Sequence, residues 1–128
     1  MMANEFSLDS IQITIPKRSK NSHKGDFGRA LILAGSEGMG GAAILSSEAC
    51  LFSGAGLVSI YTHPSNVEAS LIRNPEIMAL GIKKDFEIPK NIDVLLCGPG
   101  LRNNEWSANV VKKAFAANSP EEALSLAK

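Results

Sequence analysis

A run of apolar residues that passes through several glycines into a helix-like segment constrains this chain more than any other feature. The stretch LILAGSEGMGGAAILSS, residues 31–47, holds Gly35, Gly38, Gly40 and Gly41. Within RALILAG, residues 29–35, the run after the arginine is continuously apolar and ends in glycine, as a strand buried on both faces of a parallel sheet would. Residues 41–53 then predict a helix. In it Ala42, Leu45, Ala49 and Phe52 recur at helical steps and are expected to share the apolar face, with Ile44 and Leu51 widening it. Ser46, Ser47 and Glu48 are left for water or a neighbour, and Gly54 and Gly56 stop the helix. A bare turn between strand and helix rarely needs so many glycines. Backbone that must come close to a ligand does, because glycine has no Cβ to clash.

Further along, strands and helices alternate. GLVSIYT reads as a second strand, rich in β-branched and aromatic residues. Pro64 suits the first turn of a helix reaching about Arg73, and EIMALGI is a third strand. Val94–Cys97 within NIDVLLCGPG is a fourth. Asn103 or Asn104 caps a helix to about Ala117, with Val110, Val111, Ala114 and Phe115 apolar. A last short helix is expected after Ser119-Pro120, and SLDSIQITIPKR holds a short strand or a helical turn before Pro16. The alternation predicts a single α/β domain over residues 1–128, with a mostly parallel sheet, helices on both faces and right-handed crossovers.

Charge excludes some partners. Thirteen basic and thirteen acidic residues cancel, which leaves no electrostatic case for nucleic acid or an anionic membrane. The Lys17-Arg18-Ser19-Lys20 run reads as a solvated loop rather than a phosphate patch. The start MMANEFSLDS has no signal-peptide apolar region, and no run approaches the roughly 20 apolar residues of a bilayer span. Cys50 and Cys97 lie far apart in apolar segments without metal spacing. They are expected as buried free thiols in a cytoplasmic protein.

Ligands of parallel α/β sheets bind beyond the carboxyl ends of the strands. Two glycine-rich loops occupy that position, residues 35–41 and the CGPGLR segment, residues 97–102. The first is neither the G-x-G-x-x-G fingerprint nor a P-loop, so spacing alone leaves structural turn and ligand loop both open. Free N–H groups at a helix start would favour an anion there. Lys24, just before the first strand, is either an anion contact or a solvated lysine. Asp26 reads as a turn former first and an acid–base group second. His23 and His63 form no metal pair, though His63 at a strand end can line a pocket. Met39 packs under its loop, and Trp106 packs or stacks on a base. Nothing supports a G-x-S-x-G hydrolase.

HKGDFGRALILAGSEGMGGAAILSSEACLFSGAGLVSIYT, then DVLLCGPGL and EW, resembles the nucleotide-dependent NAD(P)H-hydrate dehydratases of the ribokinase-like superfamily. The similarity runs over roughly residues 10–117. It implies a repair enzyme that restores hydrated NADH or NADPH while consuming ADP or ATP with Mg2+, by phosphorylating the hydroxyl and eliminating phosphate. Positioning and charge neutralisation would dominate such a reaction. By the resemblance Ala42 contacts the hydrated dinucleotide, Gly35, Ser36 and Gly41 shape its loop, and Gly98, Pro99 and Gly100 form the second loop. A family glycine that touches substrate is replaced by Arg102, which either blocks that contact or grips a phosphate.

The family's Asp-x-Asp-Ala-Leu strand, its Gly-Thr-Gly-Asp segment with the catalytic aspartate, and a later substrate-binding histidine have no counterpart in this sequence. The resemblance therefore makes the chain an apparently truncated, amino-terminal half of the enzyme, with no catalytic residue and no metal ligand of its own. An uncovered sheet edge predicts self-association or a homo-oligomer. A non-catalytic dinucleotide-binding fragment and a small-molecule kinase of the same superfamily are the alternative readings.

Overall fold

The structure, a computed structural model, describes residues 7–12 and 14–117. The helix predicted after Ser119-Pro120 lies outside them. Four strands form one sheet: β1 (Arg29–Leu33), β2 (Leu57–Thr62), β3 (Met78–Gly81) and β4 (Val94–Cys97). Three helices join or follow them: α1 (Gly40–Phe52), α2 (Val67–Arg73) and α3 (Glu105–Ala117). In the amino-terminal segment a 3-10 turn at Leu8–Ser10 takes the place of a strand.

All pairings are parallel, in the order β3-β2-β1-β4. The chain steps from β1 to β2 to β3 in one direction, then returns to lay β4 on the other side of β1. Strand order thus reverses between β1 and β4, which is where α/β sheets open a ligand crevice.

The sheet is covered on both faces. Ile32, Ala34, Val58, Ile60 and Ile77 pack with Ala43 of α1 on one face. Leu31 and Leu33 pack with Val110 and Ala114 of α3, and with Ile82 and Phe86, on the other. Alternate residues of β1 therefore feed two cores, which explains why it is apolar from Ala30 onward. The α/β architecture with a parallel sheet is the one the alternation predicts.

The predicted face of α1 needs correcting. Ala43, Ser47 and Glu48 are its buried residues, while Leu45 and Phe52 are 67% and 76% exposed. Apolar residues lie almost all round GGAAILSSEACLF, so their spacing does not single out one side. The two serines decide it locally: each hydroxyl donates back to the helix backbone, Ser46 to Ala42 O and Ser47 to Ile44 O, so Ser47 can be buried satisfied. Glu48 is buried because Arg73 of α2 reaches it, Nε to Oε1 at 2.9 Å. That partner holds the guanidinium still further above its ordinary pKa, by hydrogen bond first and charge second. In α3, Phe115 is likewise exposed. Both cysteines are free, as expected, but half-buried rather than buried.

Candidate functional site

Because the strands are parallel, their carboxyl ends gather the segments that follow β1, β2 and β4. The glycine loop after β1 and the one after β4 are bonded to each other. Gly35 N–H donates to Pro99 O at 2.9 Å, and Ser36 N–H to Gly100 O at 3.0 Å. The buried Ser36 hydroxyl donates to the same Gly100 oxygen, also at 3.0 Å. The loops thus extend the β1–β4 pairing past the last strand residue, across the point where strand order reverses.

Two glycines are required by this joint. Gly35 has φ 73°, and a Cβ there would stand 2.7 Å from Thr62 Oγ1. Gly100 has φ 67°, and its Cβ would stand 2.7 Å from the Ala42 Cβ and 2.9 Å from Met39 O. The joint is braced from below by Asn66, which is buried. Its Nδ2 donates to Gly35 O at 2.8 Å, Ser36 O at 3.2 Å and Thr62 Oγ1 at 3.1 Å. Gly35 O also accepts from Thr62 Oγ1 and from His63 N–H. Sequence reasoning missed Asn66. The two loop carbonyls it bonds belong to residues 31 and 30 positions earlier, so no local spacing marks its role at the joint.

Above the joint the surface is open. A Cβ on Gly38, Gly41 or Gly98 would meet nothing within 4 Å. Helix α1 starts at this shelf, and Met39 gives it no side-chain cap. The Ala42 amide is taken by Met39 O; those of Gly40 and Gly41 head the helix, where backbone donors lack helical partners and the dipole favours negative charge. Arg102, exposed, follows on the β4–α3 loop, its amide held by the Ser107 hydroxyl at 3.2 Å. Asn104 is the cap of α3, its Oδ1 accepting from Ser107 N–H at 2.8 Å. On the β2 side His63 stands edge-on to Trp106, ring centroids 5.8 Å apart. Trp106 donates its indole N–H to Ile82 O at 2.8 Å, which makes it a packing residue between α3 and the end of β3.

Lys24 is not brought to this shelf. It precedes β1 and so lies at the amino ends of the strands, a full strand length away, with its ammonium 3.9 Å from Glu76. The HKGDFG segment has a structural task there. Gly56 N–H donates to Phe27 O and Gly28 O, and a Cβ on Gly56 would overlap the Lys24 carbonyl. Asp26 behaves as a turn former, accepting from His23 N–H at 2.9 Å. A cavity of about 530 Å³ also opens at that end, between Arg18, His23, Lys24, Phe52 and Glu76. Its cations already have partners: Arg18 bonds Gly54 O and stacks on Phe27, and Lys24 faces Glu76.

Among the described residues no group of three or more His, Cys, Asp or Glu is placed to hold a metal ion. The shelf offers backbone donors and one exposed carboxylate in its loop, Glu37. Backbone N–H groups at a helix start favour an anion. Cys97, at the end of β4, has its thiol pushed up by burial, so it is no nucleophile at neutral pH.

Residues 30–125 match the family model described as NAD(P)H-hydrate dehydratase. The chain belongs to this family. It is 47% identical over 104 residues to the ADP-dependent (S)-NAD(P)H-hydrate dehydratase of Staphylococcus aureus, covering 78% of this chain and 38% of that protein. It is 40% identical over 110 residues to the bifunctional NAD(P)H-hydrate repair enzyme of Vibrio cholerae, covering 84% and 22%. Among solved structures, the ADP/ATP-dependent NAD(P)H-hydrate dehydratase of Bacillus subtilis, co-crystallized with ATP/Mg2+, superposes with a TM-score of 0.72 at 30% identity, covering 86% of this chain and 41% of that one. A ribokinase-like superfamily protein of Enterococcus faecalis gives 0.72 at 32% identity, covering 82% and 38%. The fold is therefore ribokinase-like. The chain spans about two fifths or less of the length of these dehydratases. No helix among the described residues is long and apolar enough to cross a membrane.

Proposed function

We propose that the chain carries the substrate-binding shelf of a nucleotide-dependent NAD(P)H-hydrate dehydratase, an enzyme that restores hydrated NADH or NADPH at the expense of ADP or ATP. One observation supports this above the others. In a chain of that family, the loops of Gly35 and Gly100 are hydrogen-bonded together at the strand-order reversal, beside the uncapped start of α1. The amides of Gly40 and Gly41 hold a phosphate of the hydrated dinucleotide, and Ala42 with Gly100 sets its depth. Gly98 and Pro99 line the second side. Arg102 replaces a glycine contact with a cation directed at phosphate. ADP or ATP, with its Mg2+ carried on the nucleotide's own phosphates, would supply the phosphoryl group; the residues of this chain bind and orient.

The non-catalytic reading of the isolated chain has its own support. The chain spans only 38% of its Staphylococcus aureus relative. On that reading the chain alone binds hydrated dinucleotide without turning it over. Its exposed Val94, Leu96, Met78 and Leu80 drive self-association.

The test mixes the chain with hydrated NADH, Mg2+ and ADP or ATP, follows NADH absorbance, and records the melting temperature in parallel. A raised melting temperature without NADH recovery fits the shelf as a binding element. Recovery of NADH gives the chain the whole reaction. Neither effect removes the functional reading.

A further inference from the structure

The cavity at the amino ends of the strands joins a cation to an apolar wall. It takes Arg18, Ser19 and Lys24 from the segment before β1, Leu51 and Phe52 from the end of α1, and Glu76 from the turn before β3. Its volume of about 530 Å³ lies within the roughly 300–1,000 Å³ of small-molecule pockets.

The charges of the lining do not cancel. Lys24 and Glu76 offset each other at 3.9 Å. His23 is paired within its own turn, Nε2 to Asp26 Oδ1 at 3.3 Å. Among the described residues no carboxylate pairs with Arg18. Its guanidinium is nevertheless held in place. One N–H group donates to Gly54 O at 3.2 Å, and the central carbon lies 4.0 Å from the Phe27 ring centroid. A guanidinium has five N–H donors, and a ring stacked on its face uses none of them. The remaining edge is free for an anion, and the anchoring lowers the cost of ordering it. Ser19 adds a hydroxyl. Its oxygen accepts from Asn21 N–H at 3.4 Å, which leaves its proton to donate.

Beside these polar groups stands an uncovered ring. Phe52 is 76% exposed, and Leu51 and Phe27 line the same hollow. A flat apolar body laid against Phe52 would remove both surfaces from water.

We propose that this cavity binds an aromatic carboxylate of one or two rings. The carboxylate takes the free edge of Arg18 with the Ser19 hydroxyl donating to it, and the ring system lies against Phe52 and Leu51. The charge balance favours a single negative charge. A nucleotide brings more, and Lys24 already faces Glu76. Strand β1 separates this cavity from the joined glycine loops, so the inference stands apart from the proposed dehydratase reaction.

The experiment titrates the full chain with 2-naphthoate, followed by calorimetry and by backbone amide shifts. The controls are 2-naphthamide, which keeps the rings without the charge, acetate, which keeps the charge without the rings, and ADP. Saturable binding of 2-naphthoate is expected at about 1 mM or below, with shifts in residues 18–24 and 51–56. Binding of 2-naphthamide and acetate is weaker by about tenfold or more. Arg18→Gln weakens 2-naphthoate about tenfold. Phe52→Ala, at an exposed position that the core does not use, weakens it about fivefold. Lys112→Gln removes one positive charge from an exposed position of α3 and changes the affinity less than about twofold. The proposal is overturned by absence of saturable binding, by equal affinity for the acid and the amide, by equal effects of Arg18→Gln and Lys112→Gln, or by shifts confined to the glycine loops. Displacement of 2-naphthoate by ADP at the same amides would give the cavity to a nucleotide and overturn it too. Failure of hydrated NADPH to bind at the glycine loops would count against the proposed reaction and leave this result untouched.

Discussion

Gly100 lies so close beneath Ala42 that a Cβ on it would come within 2.7 Å of the Ala42 methyl. They stand 58 positions apart in the sequence (100 − 42), yet the loop after β4 is seated against the first turn of the helix after β1. Gly100 also has φ 67°. Gly100→Ala therefore meets two costs at once, a steric clash and a left-handed backbone, and should destabilise by about 1–3 kcal/mol. Urea denaturation with an unchanged slope would measure it.

Asn66 bonds both loop carbonyls from beneath, at Gly35 and Ser36. Asn66→Ala should cost about 1–2 kcal/mol, since Gly35 O keeps two other donors and Ser36 O keeps Met39 N–H. The telling readout is local. Amide exchange at residues 34–37 should accelerate more than in the core of β2. Uniform acceleration would mean that the side chain serves general stability only.

Gly56 and Gly38 make a contrast. A Cβ on Gly56 meets the Lys24 carbonyl, which is backbone and cannot step aside, whereas one on Gly38 meets nothing within 4 Å. Gly38→Ala should cost about 1 kcal/mol for its φ of 79°. Gly56→Ala should cost more than about 3 kcal/mol, enough to unfold a chain of marginal stability. Comparable melting temperatures for the two variants would contradict this.

Burial pushes the Cys97 thiol up. The thiolate is the reactive form, so alkylation of Cys97 in the folded chain should need a higher pH than in the urea-unfolded chain. The same shift acts on stability. The unfolded state ionises first as pH rises, so the contribution of Cys97 is intact below the ordinary thiol range and is lost above it. Mass spectrometry of iodoacetamide labelling against pH reads the first effect, and a Cys97→Ser variant removes it.

The parallel sheet was legible because β1 is apolar from Ala30 to Leu33, and β2 is bounded by glycine and by a proline-led helix. The two loops were legible as a pair because both follow strands. Which face α1 buries was not legible. Leu45 and Phe52 look like core residues in sequence, but α1 turns Ala43, Ser47 and Glu48 inward instead. Lys24 looked close to the glycine loop in sequence, yet β1 intervenes, and in a parallel strand the residue before it and the residue after it lie at opposite ends. Asn66 was invisible for the same long-range reason. Its role appears only once β2 is laid beside β1.

The central claim is that the joined loops at the carboxyl ends of β1 and β4 bind a hydrated dinucleotide. Titrating hydrated NADPH into the isotopically labelled chain, and mapping backbone amide shifts, tests it most directly. The account predicts saturable shifts at Gly38, Gly40, Gly41, Gly98 and Gly100, with Lys24 and Gly56 unmoved. Shifts confined to the amino-terminal cavity around Lys24, or none at the glycine loops, would contradict it.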